Sequence, residues 1–125
     1  MWMMDSNATK TARRKAQFKG YLAEYFAATY LIFKGYRIAH MRYKTKLGEI
    51  DIVARKRDLA IFVEVKARAD VQKGVDAVTY PSQKRIKNAS DIWLSNQKNP
   101  HLLSQRYDII VVRPWQLPVH FFDAF

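Results

Sequence analysis

Apolar residues at Phe18, Leu22, Tyr25, Thr29 and Ile32 recur at three- or four-residue spacing, which predicts a helix that begins near Lys10 and stops at Gly35. Residues 1–9 read as a loose terminus. Past the glycine the period changes to two. Tyr36, Ile38, Met41 and Tyr43 mark a strand over 36–44, and two further strands cover 49–55 and 59–67, joined around Lys56-Arg57-Asp58. Gly74 to Pro81 reads as a connection. Ser82 is the expected N-cap of a second helix whose inner face carries Ile86, Ala89 and Trp93 and which Asn99-Pro100 stops. The nearly unbroken apolar run Tyr107 to Val112 suits a central strand. Pro114 and Pro118 bracket a turn before an edge strand over 119–122. The order is helix, three strands, helix, one or two strands. It predicts one α/β domain over 1–125, with a three-strand meander and a crossover that brings the next strand beside it.

Alternation also sorts the chemistry. In 49–55, Glu49, Asp51, Val53 and Arg55 share one face, and Ile50, Ile52 and Ala54 share the other. In 60–68, Phe62, Glu64, Lys66 and Arg68 oppose Ile61, Val63, Val65 and Ala67. Antiparallel pairing through the turn brings Asp51 beside Glu64 with Lys66 next to them. Two converging carboxylates repel each other, and a shared proton or a divalent cation between them relieves the repulsion. Mg²⁺ or Mn²⁺ suits such a pair, since a hard cation takes one or two carboxylates and keeps waters for a phosphate substrate. Glu24 lies on a second helix stripe, Gly20, Glu24, Ala27, Ala28 and Leu31, whose small residues predict close approach to the sheet with the acid pointing into it. For any one of these acids a surface ion pair is the commoner explanation. For the set it is not, because the chain holds only three glutamates, at 24, 49 and 64, against 22 Lys plus Arg. Glu49 is expected to support Asp51 rather than act directly.

The net charge of +11 on 125 residues exceeds the roughly 2–8 units that solubility asks of a small domain, and so points to a polyanionic partner. The densest basic segments are Lys10 to Lys19, Lys34 to Lys46, and Lys84-Arg85-Lys87. DNA is the leading partner, with RNA as the alternative. Absence of cysteine excludes a disulfide framework and any thiolate site, and His40, His101 and His120 show no metal-ligand spacing. Neither a signal peptide nor a membrane span is legible, so a cytoplasmic protein is the expectation. Gln83 is placed to contact phosphate or to cap its helix. Tyr25, Phe33 and Trp93 read as core, and Trp2 and Trp115 as surface contacts. A homodimer through the apolar tail Phe121, Phe122 and Phe125 is a further expectation.

Gly48-Glu49-Ile50-Asp51-Ile52-Val53-Ala54 followed by Phe62-Val63-Glu64-Val65-Lys66-Ala67-Arg68 closely resembles the YraN family of small bacterial proteins. The similarity runs from about Gly20 to about Val112 and takes in Glu24, Gly35-Tyr36, Gly74, Ala77-Val78 and Tyr107-Asp108. That family is similar to the PD-(D/E)-x-K nuclease superfamily, which includes restriction endonucleases and Holliday junction resolvases. The resemblance implies a restriction-endonuclease-like three-layer fold with a mixed central sheet flanked by helices, and a metal-dependent endonuclease acting on structured or branched DNA. It makes Asp51 and Glu64 metal ligands, with the Val65 backbone carbonyl as a further one and Glu24 as a direct or water-mediated one. Lys66 becomes the residue that places the attacking water. Arg13, Arg14, Lys15, Lys19, Arg42, Lys44, Lys46, Arg68, Lys84 and Arg85 are the expected backbone contacts. The chain departs from the family at Arg42 and Lys44, where relatives often carry Asn and Arg, at Lys73, and at Ser82-Gln83. The superfamily also has members that bind nucleic acid without cutting it, which is the alternative function.

Overall fold

The computed structural model describes the backbone of residues 2–125 and the side chains from Ala8 onward; Met1 and the Trp2 side chain, with the contact expected of it, lie outside the described residues. The first helix, α1, spans Trp2–Phe33. It therefore runs through the stretch expected to be a loose terminus, where neither glycine nor proline interrupts it. Three strands follow as an antiparallel meander, β1 (Arg37–Lys44), β2 (Glu49–Lys56) and β3 (Leu59–Ala67). Two helices, α2 (Val71–Asp76) and α3 (Tyr80–Ser95), carry the chain back to β4 (Ser104–Val112), which lies parallel to β3. The short β5 (Val119–Phe121) pairs antiparallel with β4 at the edge. Strand order is β1-β2-β3-β4-β5. The mixed sheet with helices on both faces is the expected three-layer α/β architecture.

Each layer has its own core. On one face Ala23, Ala27, Ala28 and Leu31 of α1 meet Ile52, Ala54, Ile61, Val63, Val65 and Ile110. On the other, Ile86, Ala89 and Trp93 of α3 meet Ile50, Val53, Ala60 and Phe62. The small stripe of α1 is thus its buried face. The larger stripe points outward: Phe18, Leu22, Tyr25 and Ile32 are exposed, and Phe33 is 87 % exposed. The expected core roles of Tyr25 and Phe33 are overturned, while that of Trp93 holds. A helix lying on a sheet buries one face, and alanines allow closer approach than rings do. Gly20 is not part of that approach, since a Cβ there would meet nothing within 4 Å. Leu22, Phe26 and Phe33 instead wall a groove of about 840 Å³ together with Trp115 and Leu117 of the β4–β5 loop.

Two local expectations shift. Asp70 caps α2, accepting from the N–H groups of Gln72 and Lys73 at 2.8 and 3.2 Å, so part of the expected connection is helical. The N-cap of α3 is Thr79 and not Ser82, because Pro81 sits in the first turn, where no N–H is needed. At the other end, Phe125 stacks on Tyr107, with ring centroids 5.4 Å apart, and Phe121 packs beside Ile109 and Val111. Of the three tail residues expected at a dimer contact, only Phe122 is exposed.

Candidate active site

The β2–β3 ladder runs from Lys56↔Leu59 to Ile52↔Val63, and Asp51 and Glu64 stand one step beyond its last pair. At that step the Asp51 side chain takes over from the ladder: its Oδ2 accepts the Val65 N–H at 2.8 Å. A strand residue points its N–H and C=O to the same side, so the Val65 carbonyl faces the gap that Asp51 occupies. The Asp51 and Glu64 carboxyls stand close enough that each alters the other's affinity for a proton. Lys66 Nζ lies 3.3 Å from Glu64 Oε1. The triad expected from alternation is assembled.

Alternation fails one step earlier. Arg42 has a left-handed backbone, φ 50°, and falls between the pairs Met41↔Ile52 and Tyr43↔Ile50, opposite Asp51. Across this point the pleat reverses. Met41 and Ile52 pack on the α1 side, whereas Tyr43 and Ile50 pack on the α3 side. Ile50 therefore does not share a face with Ile52 and Ala54.

Asp51, Glu64 and Glu49 line a hollow of about 250 Å³, closed on the α3 side by Ser82, Arg85 and Ile86. Gly48 makes that closure fit, because a Cβ there would stand 2.3 Å from the Arg85 backbone oxygen. Ser82 thus borders the hollow and does not cap its helix. Gln83, expected at the site, instead donates its amide to the Val78 carbonyl at 3.2 Å and ties down the α2–α3 junction.

Electrostatics mark the cluster. Burial and the neighbouring Asp51 charge push the Glu64 carboxyl up to about 8, against the pull of Lys66. Burial raises Asp51 too, opposed by the Val65 N–H, Glu64 and Lys66. Glu24 on α1 is pushed up to about 7, first by burial and then by Asp51. Its Oε1 lies 3.0 Å from Arg42 Nε, yet this buried oxygen accepts no well-aligned hydrogen bond. The Arg42 guanidinium rests 3.9 Å from the centre of the Tyr21 ring.

Two raised carboxylates, a backbone carbonyl facing the same gap and an orphaned Glu24 oxygen form a donor set that suits a hard divalent cation. Among the described residues no three acid or histidine side chains converge closely enough to make a ready metal cage. Glu24 is paired with Arg42. Of the basic set, Arg13, Arg14, Lys15 and Lys19 are exposed along α1, and Lys44, Lys46, Lys84 and Arg85 are exposed around the pocket side. Arg42 is engaged by Glu24, and Arg68 lines the apolar groove instead of the acidic hollow.

A second polar cluster has almost no signature in the sequence. Asp108, fully buried on β4, accepts from Arg106 Nε and Nη2 at 2.8 and 2.7 Å, from His120 Nε2 at 2.7 Å, and from the Asp123 N–H at 3.0 Å. Lys34 Nζ reaches His120 Nδ1 at 2.9 Å. Burial acts to raise Asp108, but the hydrogen bonds from His120 and Arg106 prevail and hold it below the usual carboxylate range. The one signal in the sequence is an Asp at the head of an apolar strand.

A mixed sheet between helices, with two acids and a lysine meeting at the margin of adjacent strands, defines a restriction-endonuclease-like α/β protein. Residues 23–112 match the family described as Uncharacterised protein family UPF0102, and the chain belongs to that family, which is the YraN family its motifs resemble. It is 56 % identical over 123 residues to a UPF0102 protein of Rhizobium johnstonii, covering 98 % of this chain and all of the relative. It is also 55 % identical over 113 residues to one of Agrobacterium fabrum, covering 90 % and 93 %. A third, from Sinorhizobium fredii, is 59 % identical over 111 residues, covering 89 % and 91 %. No helix among the described residues is long and apolar enough to cross a membrane.

Proposed function

We propose that the protein is a divalent-metal-dependent endonuclease that hydrolyses phosphodiester bonds in DNA, with branched or otherwise structured DNA as the first substrate to test. The observation that carries this reading is that Asp51 and Glu64 line one hollow, with Lys66 Nζ 3.3 Å from Glu64 Oε1, in a chain whose net charge is +11. Asp51, Glu64 and the Val65 carbonyl would hold Mg²⁺ or Mn²⁺, which when bound offsets charge on the phosphoryl oxygens and favours ionisation of a water. The protein's own part is positioning. Asp51 is oriented by the Val65 N–H, so its carboxylate is fixed before substrate arrives. With such an ion bound, Glu64 would act as an ionised carboxylate. Lys66, beside Glu64, is placed to orient the attacking water or to neutralise charge developing on the phosphate. Glu49 borders the hollow as a supporting acid, and Arg85 and Lys84 on α3, with the basic residues of α1, contact the backbone without reading sequence.

The test is a nicking assay on supercoiled, linear and four-way-junction DNA with Mg²⁺ and with Mn²⁺. Cleavage is expected, with a loss of at least about 100-fold in Asp51→Asn and in Lys66→Ala, the range for removing a group that acts in the transition state. Binding that is equal in wild type and Asp51→Asn, with no cleavage under either metal, would establish the alternative, a non-catalytic nucleic-acid-binding protein on a nuclease scaffold.

A further inference from the structure

Arg42 combines four observations that cleavage chemistry alone leaves unexplained. It is a non-glycine residue in the left-handed region inside a strand, a strained conformation that persists where surroundings enforce it. It lies opposite Asp51 in the β1–β2 register, at the point where the pleat reverses. Its Nε approaches Glu24 Oε1 to 3.0 Å, with the Tyr21 ring 3.9 Å beneath the guanidinium. Finally, the Glu24 oxygen it approaches is buried, and the Arg42 charge beside it offsets part of the cost of burying it.

The charges form two tethered pairs. Lys66 Nζ stands 3.3 Å from Glu64 Oε1, and Arg42 Nε stands 3.0 Å from Glu24 Oε1. Asp51, opposite Arg42 in the register, accepts the Val65 backbone N–H at 2.8 Å. A divalent ion arriving at Asp51 and Glu64 therefore finds a cationic residue opposite Asp51 in the β1–β2 register, one already paired with the Glu24 carboxylate.

We propose that Arg42 is a built-in competitor for the cation site: it holds Glu24 while metal is absent, lowers the site's affinity for divalent ions, and releases Glu24 when one binds. This rests on the reading that Asp51 and Glu64 hold a divalent cation. The device would tie full assembly of the site to occupancy, and the freed guanidinium would be available to a phosphate only once metal is in place. Arg42 is thus a positioning residue acting through Glu24.

The experiment is a Mn²⁺ titration of the full chain without DNA, followed by calorimetry and by loss of the free-ion paramagnetic resonance signal. Arg42→Gln and Arg42→Gly are compared with wild type, and glycine accepts the left-handed backbone without strain. Both are expected to bind Mn²⁺ about tenfold tighter, as expected when a like charge beside a bound ion is removed. Glu24→Gln is expected to weaken binding, and in its background Arg42→Gly should gain less than about threefold, the non-additivity of two groups acting as a unit. A gain in affinity is a result that misfolding does not produce. Binding by wild type that is lost in Asp51→Asn, but is unchanged or weaker in both Arg42 variants, overturns this proposal and leaves the cation site standing. Absence of Mn²⁺ binding in wild type and in every variant overturns the cation site and this proposal together.

Discussion

The carboxylate pair at the head of the hollow works against the fold that holds it. Glu64 takes up its proton at about 8 in the folded chain and near 4.5 when unfolded, so between those values the folded state holds the extra proton. Raising pH through that window strips the proton and removes stability. Glu24, raised to about 7, acts in the same direction. The metal-free protein is therefore expected to melt several degrees lower at pH 8 than at pH 5.5, and Glu64→Gln, which keeps the neutral form at every pH, should flatten that slope in a scanning-fluorimetry series. Asp108 has the opposite sign. Its carboxyl is held below the usual range, so its contribution is complete at neutral pH and disappears only in acid. Asp108→Ala leaves Arg106 and His120 without their buried acceptor and should cost about 3–5 kcal/mol in a urea melt at pH 7. The first cluster is legible in the sequence because strand alternation alone puts Asp51 and Glu64 together. The second is not, since nothing local links Asp108 to Lys34, Arg106 or His120 across the fold.

At the scale of elements, α1 shows where periodicity misleads. Two stripes satisfy the helical spacing, and hydrophobicity favours the one with the rings. The sheet accepts the other, because only alanines bring the helix axis close enough to seat Leu31 among Ile52, Ile61 and Val63. Leu31→Ala is expected to cost about 2–5 kcal/mol through the cavity it leaves, whereas Phe33→Ser should stay within about 0.5 kcal/mol, both read from denaturant midpoints. Similar losses at both positions would mean that Phe33 is covered in solution. The helix caps are half legible. Asp70 stands where a cap belongs, but a six-residue helix is too short for periodicity to announce. Thr79 is easily passed over, because the proline after it reads as a breaker until it is recognised as a first-turn residue. Nor does any spacing rule anticipate the left-handed Arg42 that moves Ile50 to the other layer.

Over the whole molecule, the strand order is legible almost entirely. Two short connections force a meander, and a long helical return before an apolar run places β4 parallel to β3. Charge is the other global property. Twenty-two basic residues against eleven acids predict nucleic-acid affinity that falls steeply with salt. Replacing Arg13, Arg14 and Lys15 with alanine should lower the slope of log affinity against log salt by about 0.9 for each phosphate left without its cation, with little change in preference among sequences. A slope unchanged in that variant would assign duplex binding to the α3 side instead.

The chain's final ring has a practical consequence. Phe125 stacks on Tyr107, whose ring in turn lies against Phe62, while the backbone N–H of Ala124 donates to the Tyr107 carbonyl at 2.7 Å. A purification handle or fluorescent reporter fused behind Phe125 must leave from a seated wedge, and pulling on it would loosen the very stack that supports α3. Fusions intended for binding or cleavage work belong at the opposite terminus.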